Sequence, residues 1–501
     1  MFNYDTIVNN INEIKEKHII ELKKATNSLP KSFWETYSSF SNTKGGLIIL
    51  GVEEGYPENI VSGVNNPEKV RTDLWNQLSN QNKVSYNSLN NEDITIQKLE
   101  YNISIIIIKV REAPWSKKPV YINNDITKSY IRTGDGDKLM KDDELKIIMR
   151  NSSPQVDSLI LEHFSIDDLD PISLVSFKER VTLRYPNNGY ESLSPEEFLI
   201  EIGVMRKNRT TNKVNPTKGV LLFLGKYNSI REIYPSFHMD YFNRKGNNER
   251  WTDRVATDEP AEHQMNIYNF YNIVKEKLNS VILSEFKLDD KNVRVENKQF
   301  NEAIRESFIN TMAHADYDLG FPSIKIEIFD GWLRFINPGT MLISISEFVQ
   351  GGISKPRNEI IMKLFRLLGE SERQGFGGPQ IFKSAVNNKF RIPEIYTNLE
   401  STELKLWYID LTDSYPELTT KEKRVFECIV KAPGPISKRN IEELLNLSEY
   451  QSRKAIESLL ATEKIEMVGR GSATKYIPRI GSKEMITQLQ MIVSHLQQHY
   501  Q

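Results

Sequence analysis

At 501 residues the chain is longer than one hydrophobic core organises, so several domains are expected. Its 65 Lys+Arg against 67 Asp+Glu exclude a global pull on nucleic acid and leave only local basic surface. The single cysteine, Cys428, excludes an intramolecular disulfide framework and a cysteine-based zinc site; with no signal-peptide pattern, a reducing cytoplasm is expected.

In chain order, HIIELKKA (18–25) alternates as a strand, with Ile20 and Leu22 on one face and Glu21 and Lys23 on the other. Phe33, Tyr37 and Phe40 recur at i, i+4, i+7 and predict a helix over 31–42. Gly45-Gly46 permits a tight turn into LIILGV (47–52), an apolar run without alternation, as in a strand covered on both faces. Glu53 emerges where that strand reaches the surface. The apolar run ISIIIIKV (103–110) is too short to cross a bilayer, and no membrane partner is expected. SYIRTGDGDKLM (129–140) reads as a strand and turn, KDDELKIIMR as a helix, and NSSPQ (151–155) as a linker.

Residues 156–290 alternate helices with buried strands, among them GVLLFLG (219–225) and SFHMDYF (236–242). A long helix covers 298–316. SIKIEIFDGWLRFINPG (323–339) is a hairpin turning at Asp330-Gly331, followed by a Gly-rich loop at 374–379 and a closing strand at 402–411. From 416 to 480 three helices, two of them opening at Ser437 and Ser448, precede a two-stranded segment. The tail, 481–501, has the pattern of one amphipathic helix suited to packing or to homo-oligomer contact.

Glu16, Glu21 and Glu53 with Lys23 have the composition of a metal-nuclease site, in which carboxylates hold Mg2+ or Mn2+ and the lysine orients water. The same residues also suit a solvated strand pair and a turn glutamate. The ordered blocks E-x4-E-L-K, SSFSNTKGGLIILGVEE, KPVYINN and SYIRTGDG resemble the Schlafen-type AlbA domain over about residues 12–148. The resemblance implies nucleic-acid binding, of RNA or DNA. In vertebrate Schlafen members an acidic triad cleaves structured RNA, and carried across it is Glu16, Glu21 and Glu53. The third position is usually Asp there, so Glu53 is a departure.

Ile304, Phe308 and Met312 form one stripe of the 298–316 helix, and Glu306, Asn310 and His314 form another. An Asn carbonyl can complete the coordination of a phosphate-bound Mg2+, and a Glu one turn earlier can activate water. Gly375, Gly377 and Gly378 before a helix suit either a plain turn or a phosphate cradle. Together these blocks resemble a GHKL ATPase fold over about 295–412. The resemblance implies bound ATP, with Glu306 and Asn310 as the N-box and Glu306 activating water in an ATPase. INPG (336–339) stands where other members carry Asp-x-Gly-x-Gly, so Asn337 and Gly339 would face the adenine. KPRNEIIMKLFRLLG (355–369) would be a lid opening at Arg357 and Asn358, and Thr402 the final-strand threonine. HADY departs from the branch's His-Arg-Asp-Tyr through Ala315.

Residues 416–480 have a winged helix-turn-helix pattern, with Arg453 and Lys454 on the second helix of the pair and Arg470 and Lys475 on the wing. Such modules contact DNA or dock proteins. His163, His238 and His263 lack metal-ligand spacing. The expected architecture is α+β and multidomain: a mixed-sheet Schlafen-AlbA domain (1–150), a connecting region (151–290), a GHKL-like α/β sandwich (291–412), a winged helix (416–480) and a terminal helix (481–501). Three functions follow. One is an ATP-responsive, DNA-binding, transcription-type regulator. The second is an ATP-gated Mg2+- or Mn2+-dependent nuclease with an antiphage or stress role. The third is a non-catalytic scaffold.

Overall fold

The computed structural model describes residues 11–12, 18–152 and 156–479, except 135, 247–249, 260–261, 284–297, 372–374, 389, 411–412, 433, 470 and 472–473. Glu16, Arg470 and the 481–501 tail therefore lie outside the described residues. The chain divides into two compact units, Met1–Pro154 and Gln155–Gln501. No helix among the described residues is long and apolar enough to cross a membrane.

The first unit is built on a four-stranded sheet of order β1-β2-β6-β5, formed by β1 (Ile20–Lys23), β2 (Gly46–Leu50), β5 (Ile94–Lys98) and β6 (Ser104–Val110). Strand β1 lies parallel to β2, with Glu21 opposite Ile48 and Lys23 opposite Leu50. The unbroken apolar runs of β2 and β6 reflect two covered faces. Ile48, Leu50, Ile106 and Ile108 join a core under α1 (Phe33–Asn42) and α2 (Pro67–Leu78). Leu47, Ile49, Ile105 and Ile107 join a second cluster with Leu22 and Val52. Helix α1 buries Phe33, Tyr37 and Phe40, as its spacing predicts. It also buries Ser38 and Asn42, which bond to backbone. Asn42 donates to the carbonyls of Val120 (2.8 Å) and Tyr130 (3.0 Å) and accepts from Val120 N–H (2.7 Å). Gly46 is required by close approach, since a Cβ there would fall on the Phe40 ring. Short hairpins complete the unit: β3 (Val52–Glu53) with β4 (Ile60–Val61), then β7 (Tyr121–Ile122), β8 (Asp125–Thr133) and β9 (Gly136–Leu139), before α3 (Asp142–Ser152).

The second unit opens with α4 (Pro171–Arg184), α5 (Pro195–Glu201), β10 (Met205–Lys207) and β11 (Val214–Pro216). The apolar run expected as a strand at 219–225 is instead α6 (Lys218–Leu224), opened by a Thr217 cap on Val220 N–H. Every side of this helix is buried, so its sequence carries no period to separate helix from strand. After α7 (Tyr227–Ile233) the chain enters a six-stranded sheet of order β13-β12-β14-β15-β17-β16. Its members are β12 (Met239–Asn243), β13 (Asp253–Ala256), β14 (Ile324–Phe329), β15 (Trp332–Pro338), β16 (Glu394–Thr397) and β17 (Ser401–Trp407). The sheet runs through the boundary expected at 290, because β12 pairs in parallel with β14. The β14–β15 hairpin turns at Asp330-Gly331, with Gly331 at φ +87°.

One face of this sheet shares a core with α8 (Ile267–Leu283), α9 (Lys298–Ala313) and α11 (Glu359–Leu367). On the other face Arg334 bridges Glu327 (3.2 Å) and Glu403 (2.6 Å) across three strands. Helices α10 (Ile345–Gln350) and α12 (Gly377–Asn387) flank the region described below. The C-terminal module has α13 (Thr420–Lys431), α14 (Lys438–Leu445) and α15 (Glu449–Ala461), then paired β18 (Ile465–Val468) and β19 (Lys475–Pro478). Ser437 and Ser448 cap α14 and α15, as expected.

Candidate nucleotide site and acidic cluster

Helix α9 turns Ile304, Phe308 and Met312 into the core and leaves Glu306, Asn310 and His314 toward a cleft. The Asn310 carboxamide donates to Glu306 Oε1 at 3.1 Å. The cleft has two adjoining halves. One is lined by Glu306, Asn310, Arg366, Ser371, Gly377 and Gly378, with Gly375 at its edge. The other is lined by Asn310, Thr311, Asn337, Thr340 and Thr402. Asn310, His314, Phe348 and Lys355 border both. As closed, the halves leave ≈ 50 and ≈ 80 Å³ open.

Sheet register builds the second half. Asn337 on β15 lies directly opposite Thr402 on β17. Thr402 Oγ1 donates to the Gly339 carbonyl (2.8 Å) and meets the Thr397 hydroxyl at 3.0 Å. Gly339, at φ +92°, packs on Asp316 and the Arg357 guanidinium, where a Cβ would collide. Arg357 is buried behind this wall. It donates to the carbonyls of His314 (3.1 Å) and Thr340 (2.9 Å) and stands 3.7 Å from Asp316. Asn358 bonds the carbonyls of Ala313 and Ala315. The Arg357-Asn358 pair thus clasps the end of α9 to the turn after β15. The segment expected as a lid is the core helix α11, with Ile361, Leu364 and Phe365 buried. It is loop 341–355, with α10, that supplies Ile343, Phe348 and Lys355 to the cleft.

The glycines form the opposite wall. A Cβ on Gly377 would strike the Glu306 carboxylate, and one on Gly378 the Phe348 carbonyl. Gly375, at φ +82°, accepts from Gly352 N–H (2.8 Å). The loop leading to them is anchored by buried Glu370, which takes Arg180 (3.1 Å), Lys275 (2.6 Å) and the Tyr271 hydroxyl (2.9 Å). Asp157 accepts from Ile360 and Ile361 N–H and so caps α11 from elsewhere in the chain.

Lys355 and Arg366 are cleft residues that sequence reasoning did not single out, and among the described residues they bring two cations to a site with one carboxylate, Glu306. The Arg366 Nε is buried with no hydrogen-bond partner among the described residues. The unpaired Arg366 Nε, the Lys355 ammonium and the Asn310 oxygen fit a polyphosphate with a divalent cation, while the Gly377 and Gly378 backbone is closed against Glu306 and Phe348. No sequence pattern marked Arg366, whose period reads as an ordinary amphipathic helix.

Burial, with Arg357 beside it, pushes the His314 pKa down to about 4. The imidazole is therefore neutral at physiological pH. Because the unfolded pKa is about 6.5, the folded state keeps its full stability above that pH and loses it as pH falls toward 4. The loss is about 3 kcal/mol. His314→Gln is expected to flatten the pH dependence of urea unfolding across that window.

In the first unit Glu21 is buried, its carboxylate 2.5 Å from Lys23 and 2.8 Å from Arg132. Arg132 also holds Asp137 (2.9 Å), which accepts from the Thr36 hydroxyl. Glu53 is exposed at the end of β3 and pairs with Lys24 at 3.3 Å. Glu21 and Glu53 therefore have separate basic partners. Among the described residues no group of three or more His, Cys, Asp or Glu is placed to hold a metal.

In the C-terminal module Arg453 lies 3.8 Å from Glu457, while Lys454 and Lys475 are exposed. Gln451 is engaged in the α15 capping box with Ser448. A ladder of rings and cations joins this module to the six-stranded sheet. Arg391 stacks over Trp407 (4.3 Å) and Tyr415 (5.1 Å), and Lys464 lies 3.8 Å over Tyr415. Tyr415 in turn meets Phe426 on α13 at 5.7 Å.

Three families match stretches of this chain. Residues 16–141 match the family described as Schlafen, AlbA_2, and residues 322–406 the one described as "Putative ATP-dependent DNA helicase recG C-terminal". Residues 146–240 match a domain of unknown function, DUF8451. A Schlafen AlbA_2 domain and a recG C-terminal-type domain are therefore present in a mixed α+β, multidomain chain. No curated protein matches it. Among solved structures, the DIP2311 protein from Corynebacterium diphtheriae is similar over 95% of this chain and 98% of that one, at 13% identity and a TM-score of 0.40.

Proposed function

We propose that this protein binds Mg-ATP in the cleft between α9, β15 and α12, and that the bound nucleotide governs how its terminal modules engage nucleic acid, as in a transcription-type regulator. One observation carries this reading. Asn310, His314, Asn337, Thr402 and three glycines, scattered over some ninety residues of sequence, line one cleft together with Lys355 and Arg366. The Asn310 oxygen would hold the Mg2+, which neutralises phosphate charge when bound, and Glu306 would activate water for hydrolysis. Entry of a nucleotide requires loop 341–355 to move outward, since the open volume is below that of ordinary ligand pockets. The C-terminal arrangement of three helices and a two-stranded sheet supports a winged helix, and the AlbA_2 match supports nucleic-acid contact by the first unit.

Calorimetry with Mg-ATP, followed by nucleic-acid titration with and without the nucleotide, tests the proposal. Heat on ATP addition and at least a fivefold nucleotide-dependent change in nucleic-acid affinity are expected; absence of both rejects it. Strand β17 carries Thr402 at the cleft and Trp407 at the ring ladder, so Arg391→Ala is expected to keep ATP affinity within about twofold yet abolish the nucleotide effect on nucleic-acid binding. An unaltered nucleotide effect removes the ladder from the coupling. The nuclease alternative retains Glu21 and Lys23 on one strand, and cleavage of labelled RNA or DNA with Mn2+ that is lost in Glu21→Ala would favour it.

A further inference from the structure

An open groove of ≈ 770 Å³ runs along α13 in the C-terminal module. Cys428, Ala432, Ile436 and Leu445 line it, and Leu444, 69% exposed, extends its apolar strip. A single exposed leucine is ordinary; here it continues an apolar floor flanked by Arg424, Glu427, Lys431 and Asn440, a concavity that an amphipathic helix fits.

Two observations identify the occupant. The first is where the chain leaves the described region. Tyr476 on β19 exchanges both backbone hydrogen bonds with Ile436 (2.8 and 3.1 Å), and Ile436 lines the groove. The strand ends at Pro478 and the described residues at Arg479, within three residues of Tyr476. The second is the pattern of that segment. Ile486, Leu489, Val493, Leu496 and Tyr500 recur at 3-4-3-4 spacing, and no Asp, Glu, Lys or Arg follows Glu484. A helix with such a stripe cannot bury it alone and needs a partner surface. The dimensions agree. Arg424, Cys428 and Lys431 mark two turns of α13 along the groove, and Leu489, Val493 and Leu496 span two turns of the tail. From Tyr476 to Leu489 the chain can reach about 40 Å if extended, more than a fold-back requires.

We propose that residues 485–496 of the chain seat as a helix in this groove, pressing Leu489, Val493 and Leu496 onto Cys428, Ile436, Leu444 and Leu445, so that each chain completes its own C-terminal module.

Cys428 is the chain's one cysteine and lies in the groove, so its thiol reports occupancy. Burial and neighbouring Glu427 push its pKa up, so the rate of modification by an aryl disulfide is read at alkaline pH. Full-length protein is expected to react at least tenfold more slowly than a chain ending at residue 479. The double variant Leu489→Gln/Val493→Gln keeps the full length and is expected to react as the truncated chain does. Adding a synthetic 481–501 peptide to the truncated protein should restore protection, which a merely misfolded truncation would not show. Equal rates in full-length, truncated and double-variant proteins overturn the proposal. So does protection that disappears on dilution together with a dimer in light scattering, because the tail would then sit on a second copy.

Discussion

Asn310→Ala is expected to weaken Mg-ATP binding about 100-fold, a loss of ~2.7 kcal/mol in calorimetry. The residue borders both halves of the cleft and stands one helical turn from Glu306, to which it donates at 3.1 Å. Alanine removes the carbonyl that would complete a cation's coordination, together with the hydrogen bond to the Glu306 carboxylate. Helix propensity at this position improves with alanine, and Asn310 is not part of the buried core, so thermal stability should change by no more than about 1 kcal/mol. The two readouts therefore separate. Lost binding with an intact melting curve supports a ligand role, whereas undiminished ATP heat removes Asn310 from the site. Asn310→Asp is informative beside it: an added carboxylate keeps an oxygen for Mg2+ but places a second negative charge next to Glu306.

Arg132→Met is expected to destabilise the N-terminal unit by about 3–5 kcal/mol, roughly 10 °C in its melting temperature. The Arg132 side chain is 1% exposed and is shared between Glu21 and Asp137, while its guanidinium lies 5.1 Å over the Phe40 ring. Methionine matches its length but strands buried Glu21 and partly buried Asp137, leaving Lys23 as the remaining described cation beside Glu21. Additional substitution of Glu21 and Asp137 by Gln and Asn should recover more than half the loss, since it removes the charges that had become uncompensated. A drop below 1 kcal/mol would show that water reaches this network. The same scanning experiment bears on metal chemistry. If Glu21 is only a structural partner of Arg132, Glu21→Gln lowers the melting temperature equally with and without Mn2+; if it ligates a cation, Mn2+ raises the wild-type value and not the variant's.

Local periodicity determined much of this protein before any fold was known. The stripe Glu306, Asn310, His314, the Asp330-Gly331 turn, the serine caps of α14 and α15 and the doubly buried β2 follow from spacing and turn chemistry within about a dozen residues. Uniformly apolar sequence was not legible in this way. LIIL at 47–50 became a strand and VLLFL at 220–224 a helix, and only the Thr217 cap and the neighbours of each decided which. The blocks that line the cleft were visible singly, but their convergence was not. Asn337 meets Thr402 through antiparallel register, and Arg366 reaches the same cleft on a helix whose N-terminus is held by Asp157, more than two hundred residues earlier.

The fate of the charges was least legible. Glu21 and Lys23 lie on one strand, yet Arg132, from a block more than a hundred residues on, sets the charge balance around Glu21. Arg357 lies beside the cleft in sequence order but is buried behind it as a clasp. Residue type and spacing determine which elements form and which faces they offer. Tertiary structure alone decides which charge neutralises which, because ion pairs and cavities depend on distances between segments remote in the chain.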